Sequence, residues 1–132
     1  MKYLLDTHTW VWWHMNPQKL SEKVKRLVGD VNGYEEILLS AISPWEFSKL
    51  IEKKRIGISC DPEDWIHSAL EMPKFRLVPL SPVLAYRSTV LPQPFHFDPA
   101  DQIIVATARE ENATILTKDE NILAYKNARS LW

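Results

Sequence analysis

The sequence is poor in cysteine and has no long apolar run. Cys60 is the one cysteine among 132 residues, which excludes an intrachain disulfide and a cysteine-based zinc cluster. A secretory signal needs an apolar stretch of roughly 7–15 residues and a membrane span needs about 20. The first carboxylate, Asp6, follows only three apolar residues. We therefore expect a cytoplasmic protein without a membrane segment.

The chain also lacks an excess of positive charge. Its 16 Lys and Arg residues are balanced by 17 Asp and Glu residues, so no general electrostatic field attracts nucleic acid. Any binding of nucleic acid must come from a local patch. A length of 132 residues with 45% hydrophobic residues fits one globular domain over residues 1–132.

Short apolar runs alternate with helical patterns along the chain. The runs at residues 3–5, 37–40, 76–80 and 114–117 predict strands, and residues 128–132 add a candidate fifth strand. Continuous apolar strands that alternate with helices are typical of a parallel sheet covered on both faces. The sequence therefore predicts an α/β three-layer sandwich, with a central parallel sheet of four to five strands.

Four carboxylates fall at the ends of these strands or in the first turns of helices: Asp6, Glu46, Asp101 and Asp119. In open parallel sheets, ligands bind beyond the carboxyl ends of the strands. If the four converge, their repulsion must be neutralised by protons or by a cation. Clustered carboxylates without cysteine suit Mg²⁺ or Mn²⁺, an arrangement that supports phosphodiester hydrolysis.

Each acid also has a purely structural interpretation. Ser43, Pro44 and Glu46 fit a helix start in which Ser43 is the N-cap and Glu46 completes a capping box. Asp98 and Asp119 fit helix N-caps, and Asp101 fits a capping partner of Asp98. Asp6 is the hardest to explain in this way, because a carboxylate directly after a buried strand is costly unless it is paired.

The chain closely resembles PIN-domain ribonucleases, specifically the VapC-type toxins of toxin–antitoxin pairs. Four blocks carry the resemblance, at residues 4–13, 40–46, 96–108 and 116–119. Each block alone is weak, but four in order at suitable spacing cover nearly the whole chain.

The resemblance implies roles for particular residues. Asp6, Glu46, Asp101 and Asp119 match the acidic quartet that binds Mg²⁺ or Mn²⁺, and Asp6 and Asp101 match the positions most often treated as direct metal ligands. Residues that support these acids are Thr7, Ser43 and Thr117, with Asp98 as a helix cap beside the site. The family usually has a basic residue where Phe97 stands and Arg where Gln102 stands, so substrate affinity or antitoxin pairing differs here.

The resemblance also implies a function, namely a metal-dependent endoribonuclease that is the toxin of a type II toxin–antitoxin module. An antitoxin partner and a homodimer follow from it. The Trp-rich first helix offers apolar surface for the dimer, although most of the six Trp residues are expected in the core or an interface, with one or two free to stack a base.

RNA needs cations to meet its phosphates. Lys49 and Lys53 follow Glu46 at i+3 and i+7, so they continue its helical stripe away from the acid. His96, in a proline-rich loop, is a further candidate phosphate contact. The alternative interpretation of the lysines is that of cations placed favourably near a helix C-terminus.

Two other functions remain open at this point. The first is a non-catalytic module of the same fold that binds RNA or protein, although such a module has no use for four mutually repelling acids. The second is a metal-dependent phosphoesterase that acts on DNA or small phosphates. The acids do not separate RNA from DNA, and only the resemblance favours RNA.

Overall fold

A computed structural model describes residues 1–96 and 98–132. Five parallel strands form one sheet in the order β3-β2-β1-β4-β5. The strands are β1 (Lys2–Leu5), β2 (Glu36–Ser40), β3 (Phe75–Val78), β4 (Thr114–Leu116) and β5 (Arg129–Leu131). The predicted parallel sheet is confirmed, with β5 as its fifth strand. Pro79 follows β3 at the sheet edge, where a missing N–H donor costs no ladder hydrogen bond.

In the part of the chain that the structure describes, seven α-helices connect and flank the strands. They are α1 (Thr7–Met15), α2 (Glu22–Gly29), α3 (Ile42–Glu52), α4 (Pro62–Leu70), α5 (Pro82–Thr89), α6 (Pro99–Glu111) and α7 (Glu120–Ala124). Five of them begin after a side chain that accepts the backbone N–H three residues later, which satisfies a free donor of the first turn: Ser21, Asp61, Ser81, Asp98 and Asp119. Within the described ranges, no helix is long and apolar enough to cross a membrane.

Helices cover both faces of the sheet because neighbouring strand residues point to opposite sides. Leu4, Leu38 and Ile115 pack with residues of α5, α6 and α7. The residues that follow them, Leu5, Leu39 and Leu116, pack with residues of α1 to α4. The result is the predicted three-layer sandwich, with an apolar core on each side of the sheet.

The predicted start of α3 is wrong. The helix begins at Ile42, and Ala41 precedes it without a side-chain capping bond. Ser43 is therefore inside the first turn, where it is fully buried and lies 2.9 Å from the hydroxyl of Thr7. A contact with a residue 36 positions earlier overrides the local capping chemistry, so Glu46 has no capping box to complete. The helix ends at Glu52.

The Trp-rich α1 belongs mainly to the core. Trp10 is completely buried, and its ring N–H donates to the carbonyl of Ala69 at 3.1 Å. Trp12 and Trp13 are half-buried against the same core. The helix therefore exposes less apolar surface than its sequence indicates.

Candidate functional site

The site lies where the order of the strands reverses. The chain runs from β1 outward to β2 and β3, and it then returns to β4 on the other side of β1. The carboxyl ends of β1 and β4 therefore flank a switch point, the usual place for a ligand in an open parallel sheet. Asp6 follows β1 directly, and Asp119 lies just past β4.

Thr117 connects these two acids. Its hydroxyl donates to Asp6 Oδ2 at 2.6 Å and accepts the backbone N–H of Asp119 at 2.9 Å. Thr117 is completely buried, so the bond to Asp6 is shielded from competing water. This hydroxyl fixes the distance between the ends of the two strands.

Asp6 is only 4% exposed, and several contacts hold its carboxylate. Its Oδ1 accepts the N–H of Thr7 at 2.8 Å, which caps α1. On the other side, His8 Nδ1 lies 3.5 Å from Asp6 Oδ2. The second ring nitrogen of His8 accepts the N–H of Lys118 at 3.1 Å, so Nδ1 is the protonated nitrogen that faces the acid.

Glu46 enters the site from the first turns of α3. The hydroxyl of Thr7 donates to Glu46 Oε1, and Ser43 holds the same hydroxyl from behind. Burial raises the pKa of Glu46, the bond from Thr7 opposes that rise, and the charges of Asp6 and Asp98 add to it. Ser43 thus supports Glu46 through Thr7.

Asp101 has the most perturbed carboxyl group of the site. Asp98 caps α6 by accepting the N–H of Asp101 at 3.0 Å, which places Asp101 in the first turn. Burial, followed by repulsion from the other acids of the site (Asp6, Asp98, Asp119 and Glu46), raises its pKa to about 8. A carboxyl group that retains a proton at neutral pH marks a place where a cation can replace that proton.

His96 also faces Asp101. Its buried Nε2 lies 3.1 Å from Asp101 Oδ2. One ligand atom from each of His96, Asp101 and Asp119 lies within 4.8 Å of the others. The sequence assigned His96 to phosphate binding, whereas the structure turns this nitrogen toward the acids. Its place two residues before the cap Asp98 was the available signal for this position.

The acids open into a pocket of about 310 Å³. Its lining residues are Asp6, Thr7, His8, Trp45, Glu46, Lys49, Leu50, Lys53, Arg55, Asp101 and Asp119. The four predicted acids are thus brought together, and one wall of the pocket is cationic. Lys53 lines the pocket and is also the C-cap of α3. Its position therefore fits both a phosphate contact and a cation placed favourably at a helix C-terminus.

Sequence reasoning missed Trp45, which lines this pocket. Trp45 is 58% exposed, and the Nζ of Lys49 lies 5.9 Å from the centroid of its ring. Arg55 and His8 line the same pocket. The place of Trp45 in the sequence immediately before Glu46 was the available signal, because neighbouring residues on a helix lie near the same site. The exposure of its ring is explained if the ring meets a binding partner. Gln102 is half-buried on α6, and Phe97 lies outside the described residues.

The residues present fit a divalent cation of the Mg²⁺ or Mn²⁺ type. Carboxylate oxygens dominate the donor set, as these hard cations require. Threonine hydroxyls and backbone N–H groups orient the carboxylates of Asp6 and Glu46, as the outer contacts of a metal site do. Burial and then the charges of the neighbouring acids raise the pKa of Asp101, and a cation at this place would offset that repulsion.

Comparison with known proteins gives the same family from sequence and from structure. The PIN domain model matches residues 3–128. Ribonuclease VapC22 of Mycobacterium tuberculosis is 32% identical over 126 residues, which are 96% of this chain and 93% of that protein. A toxin–antitoxin complex from Klebsiella pneumoniae contains a chain of the same fold, with a TM-score of 0.67, 19% identity and coverage of 98% of this chain and 96% of that one.

A second structure has the same fold. VapBC2 from Rickettsia felis, bound to a DNA fragment from its promoter, gives a TM-score of 0.67 and 18% identity, with coverage of 99% of this chain and 98% of that one. The matched family model, the relative that aligns over almost the full length and the common fold agree with the four sequence blocks. The chain belongs to the PIN-domain family and, within it, groups with the VapC proteins.

Proposed function

We propose that this protein is a metal-dependent endoribonuclease and the toxin of a type II toxin–antitoxin module. The observation that carries the proposal is the convergence of Asp6, Glu46, Asp101 and Asp119 in one pocket that has a cationic wall. Membership of the PIN-domain family and the relative named ribonuclease VapC22 support it. The four acids are proposed to hold Mg²⁺ or Mn²⁺.

Each residue contributes position or charge to phosphodiester hydrolysis. Asp6, Asp101 and Asp119 present their carboxylates at the switch point, and Thr117 fixes Asp6. Glu46, whose pKa is raised by burial, is suited to accept a proton from an attacking water. Thr7 holds Glu46 in place for that step. A divalent cation held by these acids would supply charge stabilisation at the phosphate and lower the pKa of a water.

The wall beside the acids suits a single-stranded RNA. Lys49, Lys53 and Arg55 offer positive charge at one side of the pocket, and RNA phosphates bind such groups in place of counterions. The exposed ring of Trp45 stands directly beside Glu46, where an unpaired base can stack on it. The acids repel the same backbone, so the cationic wall determines where the strand lies.

The test compares matched substrates. Single-stranded RNA, duplex RNA and single-stranded DNA of one sequence are incubated with the protein in Mg²⁺, in Mn²⁺ and in EDTA. The proposal expects internal cleavage of single-stranded RNA that requires metal. Equal cleavage of the DNA would favour a general phosphoesterase, and binding of RNA without cleavage in either metal would favour a non-catalytic module.

Replacing both Lys49 and Lys53 by Gln should weaken RNA binding and leave the chemical step intact. Each phosphate contact that is lost should lower the slope of log affinity against log salt by about 0.7 for a single strand. We expect KM to rise on the order of tenfold, with kcat changed less than twofold, measured by cleavage kinetics at several salt concentrations.

A matched control for these lysines exists on α2. Lys25 pairs with Glu22 at 3.1 Å and Lys49 pairs with Glu52 at 2.9 Å, both three residues apart, and the two lysines are 36% and 34% exposed. Lys25 lies outside the pocket, so Lys25→Gln should leave KM and the salt slope unchanged. A rise of KM in Lys25→Gln as large as that in the double variant of Lys49 and Lys53 would contradict a specific RNA path along α3.

An antitoxin partner is part of the proposal. The acidic pocket is suited to accept a basic side chain of a partner protein, which would pair with the carboxylates and block RNA. One structure of the same fold is a toxin–antitoxin complex from Klebsiella pneumoniae. Co-expression with the product of an adjacent short reading frame should yield a complex without ribonuclease activity. An active complex would count against occlusion of the pocket.

We also propose a homodimer, with α5 as its surface in place of α1. Val83, Tyr86 and Val90 are 57%, 64% and 54% exposed, and they recur on one side of α5 and its end at helical spacing. Apolar stripes of this kind are typical of protein interfaces. Light scattering that returns a monomer at micromolar concentration would exclude the dimer.

Two further proposals concern the setting of the protein. Residues 1–132 are proposed to act as one domain, and the cytoplasm is the proposed location because RNA and an antitoxin partner are found there. The exposed free thiol of Cys60 suits a reducing compartment.

A further inference from the structure

A nitrogen atom of His96 is buried in the acidic site without a hydrogen bond. His96 Nε2 has almost no solvent contact, and among the described residues it has no hydrogen-bond partner. It lies 3.1 Å from Asp101 Oδ2, but without the direction that a hydrogen bond requires. A buried polar atom left in this state points to a partner of another kind.

The loop that carries His96 holds the ring in this position. Leu91 and Phe95 are buried in the core beside α6, and the ring of Phe95 lies 4.5 Å from that of His96. The side chain of Gln93 bridges the loop, donating to the carbonyl of Leu91 and accepting the N–H of Phe95, both at 3.1 Å. The part of the loop that precedes His96 is therefore anchored in the core, and this anchoring positions the ring of His96.

We propose that His96 is a direct nitrogen ligand of the divalent cation, together with Asp101 and Asp119. This inference rests on the metal site proposed above and adds to it a ligand outside the acidic quartet. The three ligand atoms lie within 4.8 Å of one another, so a movement of about 0.6 Å or less brings them within reach of one ion with bonds of about 2.0–2.1 Å.

His8 provides the contrast within the same site. Its Nε2 accepts the N–H of Lys118 at 3.1 Å, and its Nδ1 faces Asp6 Oδ2 at 3.5 Å. Both nitrogens of His8 therefore have partners, whereas Nε2 of His96 has none among the described residues. The difference assigns ligation to His96 and an orienting role on Asp6 to His8.

A nitrogen ligand changes the preference of the site among metals. Mg²⁺ selects oxygen ligands, whereas imidazole nitrogen binds the later divalent metals better. His96 should therefore raise the affinity for Mn²⁺ more than the affinity for Mg²⁺. Replacing it by Gln should lower the affinity for Mn²⁺ roughly 10–100-fold, in the range found when ligand surroundings are disturbed, with a smaller effect on Mg²⁺.

Electron spin-echo envelope modulation of the Mn²⁺-loaded protein tests this ligation without relying on activity. The natural protein and His8→Gln should both show coupling of Mn²⁺ to a directly bonded ¹⁴N nucleus, and His96→Gln should lose it. Calorimetric titrations with MnCl₂ and MgCl₂ give the two affinities, and circular dichroism checks that the variants are folded.

Every outcome separates the ligand assignment from the proposed function. Coupling that persists in His96→Gln, or that is lost in His8→Gln alone, would overturn the assignment of His96. Mn²⁺ binding and RNA cleavage without any ¹⁴N coupling would also overturn it, while leaving the metal-dependent ribonuclease intact. Absence of Mn²⁺ binding would overturn the assignment of His96, and absence of both Mn²⁺ and Mg²⁺ binding would also refute the metal-dependent ribonuclease. If His96→Gln is unfolded, the spectrum of the natural protein labelled with ¹⁵N at histidine, compared with that of His8→Gln, decides the question.

Discussion

Replacing Asp6 by Asn should reduce RNA cleavage on the order of 10²–10³-fold while the protein remains folded. The carboxylate of Asp6 stands at the switch point of the sheet, and its two oxygens accept from Thr7 and Thr117. A bound cation of this type supplies several kcal/mol of transition-state stabilisation, and about 1.4 kcal/mol corresponds to a tenfold change in rate. Removing one carboxylate charge should therefore lower kcat by a much larger factor than it changes KM.

The fold should tolerate this change because Asn keeps the geometry of the cap. Its amide oxygen can accept the N–H of Thr7, and its amide nitrogen can donate to the hydroxyl of Thr117, which has two acceptor sites. Asp61→Asn is a control for the loss of a capping carboxylate, because Asp61 also caps a helix, α4, by accepting the N–H of Asp64, and it does not line the pocket. Cleavage by Asp6→Asn within tenfold of the natural rate would contradict a metal-holding role of Asp6.

Replacing Asp101 by Asn should stabilise the metal-free protein at pH 8. The folded pKa of Asp101 is about 8, raised from 3.8 by burial and by the neighbouring acids. Below about pH 4 the group is protonated in both the folded and the unfolded states. Between about pH 4 and 8 the unfolded chain has lost the proton that the folded chain retains. The stability of the metal-free natural protein therefore falls as pH rises through this window, by up to about 1.4 kcal/mol per pH unit.

Urea unfolding in EDTA at pH 5, 6.5 and 8 measures this difference. The natural protein should lose at least about 2 kcal/mol relative to Asp101→Asn between pH 5 and 8. His14 has a pKa lowered by burial, so its own contribution is lost as pH falls below about 6.5, equally in both proteins. The comparison of the two proteins therefore isolates Asp101. Parallel stability curves would show that Asp101 is not strained by its neighbours.

Metal binding gives a second readout of the same effect. Because a cation replaces the proton on Asp101, calorimetry in buffers of different ionisation enthalpy should detect up to about one proton released per site at pH 7. The release should vanish in Asp101→Asn. An identical proton release from both proteins would place the proton on another group.

Much of the fold could be predicted because its signals are local. The continuous apolar runs at residues 3–5, 37–40 and 114–117 become strands that are buried on both faces, and Ser21, Asp61, Ser81 and Asp98 start helices as their residue types indicate. Pro79 follows the edge strand β3 because it has no N–H to donate to the hydrogen-bond ladder of the sheet. In each case the physical cause lies within a few residues of the element.

The predictions from the sequence that were wrong or missing depend on contacts between residues that are distant in the chain. Ser43, Pro44 and Glu46 satisfy the local rules of a capping box, but Ser43 is drawn into the core beside Thr7. The position of β4 next to β1 creates the switch point, and no local pattern encodes that order. The inward direction of His96 depends on a loop that is anchored by Leu91 and Phe95, and the sequence shows only that the loop is rich in proline.

The positions of the four acids were better predicted than their surroundings. Their spacing relative to strand ends and helix starts indicated a shared edge of the sheet, and the structure brings all four to one pocket. The bonds among Thr7, Ser43, Thr117 and the acids required side chains that come from three separated segments of the chain. Those contacts decide which carboxylates are held rigidly.

Diffraction from a crystal soaked in MnCl₂, recorded near the manganese absorption edge, tests the central claim most directly. We predict an anomalous difference peak among the carboxylates of Asp6, Asp101 and Asp119, with His96 at bonding distance, and no such peak in crystals of Asp101→Asn. A protein that cleaves RNA in Mn²⁺ but binds the ion elsewhere, or shows no peak at these carboxylates, would contradict the proposed site.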